Sequence, residues 1–385
     1  MMMKRIGWIF NVLIILVFIY SIIYFLDLNY IYKAVRVVYF TGHKTAFLED
    51  YTFFENQNIK ASKSPQPWAQ HQLYNTIQLS LEHQQFLQES KSISFVVIKE
   101  DKILYERYWD GFDESSKTNS FSVTKSYVTA LLGKAIKDGY VEGFDHRVID
   151  ILPELKGKYA HKVTLGDLAS MSGGLKWKEE YYIPINRTSG IYFTQDLHNL
   201  MMGIPIEKNP GQRYVYQSGS IQLLGLAIAK ATGKSLSDYL QESFFEPMGY
   251  QYDAFWQLDS KRRRVEKSFC CIASNAKDFA RLAKLYKDYG RWNGAQILDS
   301  VFIAQSLTPR FEDSPHFGYG IWLREFHGKK AFLMRGHLGQ YIITIPSEDL
   351  IIVRLGHKKL GEKVGSFTSD IEQYVDMGLE INSHL

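Results

Sequence analysis

The stretch Ser120-Phe121-Ser122-Val123-Thr124-Lys125-Ser126 places a serine and a lysine three residues apart at the start of an amphipathic run. Positions three apart on a helix lie on one face. The hydroxyl of Ser122 and the amine of Lys125 can therefore meet in one pocket, as a nucleophile and its base must. The pattern is equally typical of a helix N-cap followed by a solvated lysine. By itself the motif favours that plainer interpretation.

Length and composition set broad limits. The chain has 385 residues and a net charge of +4 with mixed signs, which gives no argument for nucleic-acid binding. Its histidines are scattered without metal-binding spacing, so no zinc site is predicted. Cys270 and Cys271 are adjacent. Neighbours in sequence rarely reach the geometry of a disulfide, so we expect no disulfide framework.

The amino terminus carries a long apolar run from Ile6 to Leu26. About 20 such residues cross a bilayer as a helix. The run is long for a signal peptide and lacks a small-x-small cleavage site, so it predicts an uncleaved transmembrane helix anchoring the chain at residues 1–26. Lys4 and Arg5 precede it, which predicts a catalytic domain outside the cytoplasm, in the periplasm or on the cell surface. Residues 27–91 are then expected to be a juxtamembrane segment and linker.

The folded body is predicted to begin near Ser92. β-rich runs at Ile93–Lys99 and Ile103–Tyr108 indicate a hairpin. Near the carboxyl end, short runs at 317–323, 330–334, 341–345 and 350–354 indicate an antiparallel meander, and 370–379 a closing helix. Helical patterns fill the middle. The pattern predicts an α/β (α+β) fold in which a central antiparallel sheet, built from both ends of residues 92–385, is flanked by helices and carries an inserted, mainly helical lobe.

Two further stretches carry candidate functional residues. Pro210 to Gly219 contains Tyr216, a phenol able to relay protons, and Ser218. Packing of the ring and capping of a helix by the serine explain the same letters. Arg335 to Gln340 is a turn with two glycines, which permit close approach of backbone to a ligand. A plain glycine-rich turn with an exposed histidine is the alternative.

Taken in order, Phe121-Ser122-Val123-Thr124-Lys125-Ser126, Tyr216-Gln217-Ser218 and His337-Leu338-Gly339 resemble the three motifs of the serine β-lactamase/penicillin-binding-protein superfamily. Within it, the chain looks most like the class C β-lactamase-like hydrolases typified by 6-aminohexanoate-dimer hydrolase and related esterases. The resemblance covers about Ser92 to Val364, and so identifies residues 92–385 as a β-lactamase-like serine hydrolase domain.

The resemblance implies an acyl-enzyme hydrolase that cleaves a small-molecule ester or amide without a metal or organic cofactor. Ser122 would attack the carbonyl, Lys125 would accept its proton, and Tyr216 would pass a proton to the leaving group. The backbone N–H groups of Ser122 and Gln340 would form the oxyanion hole. The other substrate-binding positions that it implies are His337, Gly339 and Ser218.

One departure from the family pattern bears on the substrate. His337 stands where a lysine is usual, and an unperturbed histidine is mostly neutral above pH 7. Ser218 stands in the place of an asparagine. Recognition of a substrate carboxylate therefore needs another cation, Arg335 or Arg213. We expect weak or absent β-lactamase activity and cleavage of other esters or amides.

Competing interpretations remain open. A peptidoglycan D,D-peptidase-like or β-lactam-binding cell-wall enzyme fits the same motifs. A catalytically silent binding or sensor domain is disfavoured because Ser122, Lys125 and Tyr216 are all present. An α/β-hydrolase is disfavoured because the sequence has no Gly-x-Ser-x-Gly. The loop from Lys176 to Asn209 has no readable pattern, so the natural substrate is not predicted, and neither is the oligomeric state.

Overall fold

The computed structural model describes residues 2–25, 28–181 and 185–385. Within them the α-helices are α1 (Met2–Phe25), α2 (Tyr30–Ala34), α3 (Leu81–Glu89), α4 (Thr124–Lys137), α5 (Val148–Ile151), α6 (Leu165–Ala169), α7 (Arg187–Phe193), α8 (Leu197–Met202), α9 (Ser218–Thr232), α10 (Leu236–Leu240), α11 (Ala276–Lys287), α12 (Ser300–Ser306) and α13 (Asp370–Asn382). The strands are β1 (Asn56–Ile59), β2 (Ala69–Gln70), β3 (Ser92–Lys99), β4 (Lys102–Tyr108), β5 (Thr118–Asn119), β6 (Ala254–Gln257), β7 (Ile272–Ser274), β8 (Arg291–Trp292), β9 (Ala295–Gln296), β10 (Trp322–Phe326), β11 (Lys329–Gly336), β12 (Gln340–Ile345), β13 (Leu350–Gly356), β14 (Lys363–Val364) and β15 (Phe367–Thr368).

The main sheet has seven strands in the order β10-β11-β12-β13-β3-β4-β2. Its neighbours are antiparallel except β2 and β4, which run parallel. The carboxyl-terminal meander joins the amino-terminal hairpin where β13 pairs with β3, with Val353 opposite Val96. Every residue of β13 is buried, so both faces of the sheet are covered here. The sheet is therefore assembled from two distant parts of the chain.

A smaller sheet, in the order β1-β6-β7-β5, lies beside the helical part of the chain. Its edge strand β5 pairs with β7, with Asn119 opposite Ala273. The chain leaves β5 and enters α4 after a single 3₁₀ turn, Phe121–Val123. This sheet therefore sets the position of Ser122.

Much of the predicted secondary structure is confirmed, with shifted ends. The hairpin is β3 and β4, and the meander is β10 to β13. The first predicted strand of the meander, 317–323, is wrong over most of its length, because Phe317 makes only one bridge, to Trp322, and the strand runs on to Phe326. The mixed α/β architecture agrees with the prediction.

The predicted N-terminal transmembrane helix is wrong. Helix α1 covers Met2–Phe25, but across the described ranges no helix combines the length and the apolarity that crossing a membrane requires. A span needs about 20 predominantly apolar residues in one helix. Met1, Leu26 and Asp27, at the ends of the expected anchor and linker, lie outside the described residues.

The segment that we expected to be a linker contributes to the folded body. Val37, Leu48 and Ile59 are almost fully buried in the hydrophobic core. Strand β1 pairs with β6 and strand β2 with β4, so residues from this segment extend both sheets. Residues 28–70 therefore pack as an integral part of the structure around the site.

The two cysteines also differ from expectation. Cys270 and Cys271 are both buried, and a disulfide joins them. Cys271 has a φ of 83°, in the left-handed region that few residues other than glycine adopt. The backbone therefore turns sharply at the pair, which spacing alone does not reveal.

Candidate active site

Ser122 lies in a strained 3₁₀ turn immediately before α4, at the amino-terminal end of the helix that the sequence predicted. The preceding residue, Phe121, has a φ of 49°, a conformation that costs free energy for a residue with a side chain. Its N–H donates to Oδ1 of Asn119 at 2.9 Å, which holds the turn in place. Non-glycine residues in this conformation cluster at functional sites. The turn presents the partly buried Ser122 at the amino-terminal end of α4.

Lys125 lies one turn further on and reaches back to the serine. Its Nζ is 2.7 Å from Oγ of Ser122 and also donates to the carbonyl oxygen of Phe269 at 2.6 Å. The residue is only 4% exposed. A solvated lysine after a helix cap, the plainer interpretation of the motif, is therefore excluded. The pair has the geometry of a nucleophile and an adjacent base.

Tyr216 lies beside this pair, just before α9. Nζ of Lys125 is 5.3 Å from the centre of its ring, and the ring stacks against Trp322 with centroids 5.8 Å apart. Tyr216 lies 91 residues after Lys125 in the sequence, so only the fold brings it to the Ser122–Lys125 pair. Its role as proton relay stays a prediction.

Ser218 is the first residue of α9, and its hydroxyl is held by a glutamate. Its Oγ donates to Oε1 of Glu179 at 2.6 Å, and its N–H donates to Oε2 at 2.8 Å. The same carboxylate accepts from the hydroxyl of Tyr181 at 2.7 Å and from the indole of Trp177 at 2.6 Å. Glu179 therefore connects the second motif to the loop that had no readable pattern.

His337 belongs to the turn His337–Gly339 between β11 and β12. Its ring meets Phe121 edge-on at 5.5 Å and stacks on Tyr181 at 5.9 Å. Its Nε2 is 3.3 Å from Oγ1 of Thr45. Burial, and secondly the charge of Lys359, lower the pKa of His337 to about 4. At neutral pH the third motif therefore contributes an uncharged ring rather than a cation.

Hydrogen bonds at Gln340 and Gly339 hold this turn in place. The Gln340 side chain is fully buried and donates to the carbonyl oxygens of His337 at 3.0 Å and Gly356 at 2.8 Å. Gly339 has a φ of 85° and accepts from Nη1 of Arg354 at 2.8 Å. Neither residue lines the two cavities at Ser122. An oxyanion donor at the Gln340 N–H and a substrate contact at Gly339 stay predictions.

Two cavities meet at Ser122. The larger has a volume of about 480 Å³ and is lined by Tyr216, Trp322, Arg335 and Lys359 among others. The smaller, of about 100 Å³, is mainly apolar and is lined by Lys125 and by residues of the amino-terminal segment. Tyr181 and His337 border both. We call them the polar cavity and the apolar pocket.

Of the two arginines considered from the sequence, Arg335 is the one that lies at the polar cavity. Its guanidinium lies 3.6 Å from the centre of the Trp322 ring and faces the polar cavity. Lys359 lines the same cavity, and partial burial and the charge of Arg335 lower its pKa. Arg213, the other candidate, is exposed and lines neither cavity.

Sequence reasoning missed Glu179, Tyr181, Trp322 and Lys359. These residues have no motif spacing, and their places in the site depend on how distant loops fold over the serine. The one available signal was the concentration of aromatic residues, 15% of the chain, which suited a ring-lined cleft and a plain core equally.

A serine hydroxyl held against a buried lysine, in a turn below an aromatic cleft, defines the class of serine hydrolases that use lysine rather than histidine. Residues 82–370 match the family model described as Beta-lactamase. The chain belongs to that family, and it is a serine hydrolase.

Several proteins are similar to this chain. A relative named "Putative D-alanyl-D-alanine carboxypeptidase" from Escherichia coli K12 is 26% identical over 191 residues, which cover 43% of this chain and 43% of the relative. The chain thus spans less than half the length of that curated relative. The structure named "Putative 6-aminohexanoate-dimer hydrolase from Bacillus anthracis" has a TM-score of 0.73 at 19% identity, covering 87% of this chain and 92% of the other. The hydrolase EstCE1, with promiscuous acyltransferase activity, has a TM-score of 0.59 at 16% identity, covering 78% and 100%. At these identities the two structures show the fold.

Proposed function

We propose that this protein hydrolyses a small-molecule ester or amide through a covalent acyl-enzyme formed on Ser122. The observation that carries the proposal is the 2.7 Å contact between Nζ of a buried Lys125 and Oγ of Ser122. Removal of the hydroxyl proton by Lys125 makes the oxygen a nucleophile toward a carbonyl carbon.

Tyr216 has the position for the second proton transfer. It lines the polar cavity with Ser122, and Nζ of Lys125 lies 5.3 Å from the centre of its ring. In the proposed sequence, the oxygen of Ser122 attacks the carbonyl and its proton passes to Lys125. Tyr216 then supplies a proton to the departing alcohol or amine as the bond to the acyl carbon breaks. Water then attacks the ester on Ser122 and gives a proton to Tyr216; the carboxylic acid leaves as its bond to Ser122 breaks, and Lys125 returns the first proton to the serine oxygen.

The oxyanion is stabilised, in this proposal, by backbone N–H groups of Ser122 and Gln340. Gly336 supports the arrangement, since a Cβ at this position would overlap the carbonyl oxygen of Ser120. Gly336, just before the third motif, therefore packs directly against the backbone of Ser120, two residues before the nucleophile. Removal of one such donor in other enzymes costs about 3–4 kcal/mol of transition-state stabilisation.

The neutral ring of His337 supports ester or amide substrates rather than β-lactams. A cation at this position is what the resemblance associates with a β-lactam or peptide carboxylate, and His337 is uncharged above a pH of about 4. We therefore expect turnover of penicillins to be weak or absent.

Arg335 and Lys359 favour a second candidate function. Both line the polar cavity with Ser122, and an anion bound between them would relieve their mutual repulsion. A substrate with a carboxylate on its leaving group, as in a D,D-carboxypeptidase reaction, fits that cavity. The name of the relative in Escherichia coli points the same way.

A substrate panel separates the two candidates. Wild type and Ser122→Ala are assayed with p-nitrophenyl esters, linear amides, a peptide ending in D-alanyl-D-alanine and a chromogenic cephalosporin. Turnover of esters or amides that disappears in Ser122→Ala supports the first candidate, and release of D-alanine supports the second. Full activity of Ser122→Ala on every substrate turned over would show that the nucleophile is another residue.

The extracytoplasmic location of the catalytic domain is a separate proposal. Its support is the second candidate function, because the cell-wall peptides on which such an enzyme would act lie outside the cytoplasm. A reporter fused to the carboxyl terminus tests it, and reporter activity confined to the cytoplasm would contradict it.

A further inference from the structure

We propose that the amino-terminal segment Tyr30–Phe47 completes the substrate site, and that the apolar pocket which it closes receives a short aliphatic acyl chain. The segment lies outside residues 82–370, the part of the chain that matches the family model. The inference deepens the proposed function and rests on acylation of Ser122.

The segment supplies one wall of the apolar pocket. Among the residues that line this pocket are, from the segment, Ala34, Val38, Tyr39, Lys44, Thr45 and Ala46. Phe193 and Phe269 face them from the body of the protein, and Ser122 with Lys125 forms the inner end. Lys44 is exposed, and the other side chains of the segment's wall are small or apolar except for two hydroxyl groups, on Tyr39 and Thr45.

The segment is fixed to the same short strand that positions the nucleophile. The N–H of Asn119 donates to the carbonyl oxygen of Leu48 at 2.8 Å. Asp50, which is fully buried, accepts from Nδ2 of Asn119 at 2.9 Å and from the hydroxyl of Tyr192 at 2.6 Å. The side chain of Asn119 also holds the turn at Phe121. Asn119 therefore fixes the position of the pocket wall relative to Ser122.

In this proposal the reacting carbonyl of the substrate lies at Ser122, and each of the two cavities holds one half of the substrate. Tyr216, which we propose as the proton donor to the leaving group, lines the polar cavity but not the apolar pocket. The leaving group therefore belongs in the polar cavity. The other half of the substrate, the acyl chain, then binds in the apolar pocket, on the other side of Ser122.

The size of the pocket sets the length of the chain that it accepts. An engineered apolar cavity of about 150 Å³ holds benzene. A pocket of about 100 Å³ therefore suits an acyl chain of roughly four carbons rather than a fatty acyl chain. Each methylene buried there contributes about 0.8 kcal/mol, which corresponds to about a fourfold gain in kcat/KM.

The test is the acyl-chain profile of the full-length protein with p-nitrophenyl acetate, butanoate, hexanoate and decanoate. Wild type is expected to gain roughly fourfold per methylene from acetate to butanoate and to fall by decanoate. Val38→Phe, which fills the pocket, is expected to remove the gain while acetate is still hydrolysed. Tyr39→Ala, which opens the wall, is expected to shift the optimum to longer chains. Val301→Phe, at a valine that is 67% exposed on α12, is the matched control and keeps the wild-type profile.

The outcomes distinguish a failure of the proposed acyl pocket from a failure of the proposed hydrolase function. Val38 is buried, so Val38→Phe is first checked for a wild-type thermal transition, whereas Tyr39 is 53% exposed and its replacement keeps the test available if Val38→Phe does not fold. Turnover that requires Ser122, together with unchanged profiles in the folded variants, overturns the pocket alone. Turnover that survives in Ser122→Ala overturns the proposed function, and the inference with it.

Discussion

The polar cavity and the apolar pocket share Ser122, Tyr181 and His337 but differ in size and in the rest of their lining. The polar cavity is larger, carries Arg335 and Lys359, and is bordered by Tyr216. The apolar pocket is small and is closed by a segment from outside the family match. In the proposed mechanism the reaction takes place where the two cavities meet, and each cavity binds one half of the substrate. Changes at the meeting point should therefore affect all substrates, and changes in one cavity should affect only some.

The largest effect is expected at the meeting point itself. Lys125→Ala removes the group that takes the proton of Ser122, and we expect kcat for every ester to fall by roughly 10² to 10⁴-fold. Lys134→Ala lies on the same helix, where its ion pair with Asp138 is near the surface, and is expected to retain wild-type kcat. Equal losses in the two variants would mean that Lys125 acts only through the stability of α4.

Tyr216→Phe keeps the ring against Trp322 and removes only the hydroxyl. We expect kcat to fall by roughly 10²-fold, with little change in KM, because proton transfer rather than binding is lost. Tyr289→Phe, at a tyrosine that is 57% exposed, is the control. A larger loss with amides than with p-nitrophenyl esters would sharpen the assignment, since an amine leaving group needs the proton more. An unchanged kcat for both would remove Tyr216 from the mechanism.

A smaller and selective effect is expected in the polar cavity. Arg335→Gln should lower kcat/KM roughly 10 to 100-fold for an ester whose leaving group carries a carboxylate, because a charge-assisted contact is lost. The matched neutral ester should be nearly unaffected. Lys358→Gln serves as the control, because Lys358 is the neighbour of Lys359 in sequence but lines neither cavity. If both esters lose activity equally, Arg335 supports the site through Trp322 and does not select an anion.

The smallest effect concerns His337 and appears in stability against pH. The pKa of His337 falls from 6.5 to about 4 in the folded protein, so below pH 6.5 the unfolded chain binds the proton first. The free energy of unfolding should therefore decline as pH falls from 6.5 to 4. In His337→Asn this part of the decline should disappear, which urea melts at pH 4.5 and 7 will measure. Equal slopes in wild type and variant would contradict a buried neutral histidine.

The nucleophile and its base could be predicted from the sequence, as could part of the main sheet. Ser122 and Lys125 are three residues apart on one helical turn, so their contact is local and could be predicted from spacing. The hairpin and the meander follow from alternating patterns of the same kind. The strained φ of Phe121 has no such signal, because it depends on the side chain of Asn119 and on the β5–β7 pairing behind it.

The walls of both cavities come from parts of the chain that meet only after folding. Arg335 was considered from the sequence because it adjoins a motif, but Glu179 and Lys359 lie in loops without pattern. The apolar run at the amino terminus led to a membrane span that the structure does not support, and residues 27–91 were expected to be a juxtamembrane segment and linker. No pattern in that segment indicated that Val37 and Leu48 pack into the core.

The central claim is that Ser122 is the nucleophile at the point where the two cavities meet. The most direct measurement is mass spectrometry of the intact full-length protein after reaction with a p-nitrophenyl phosphonate ester, which transfers its phosphonyl group to an activated serine. We predict one adduct per chain, mapped by peptide sequencing to Ser122, with none in Ser122→Ala and much slower labelling in Lys125→Ala. An adduct on another residue, or ester turnover without any labelling of Ser122, would contradict the account.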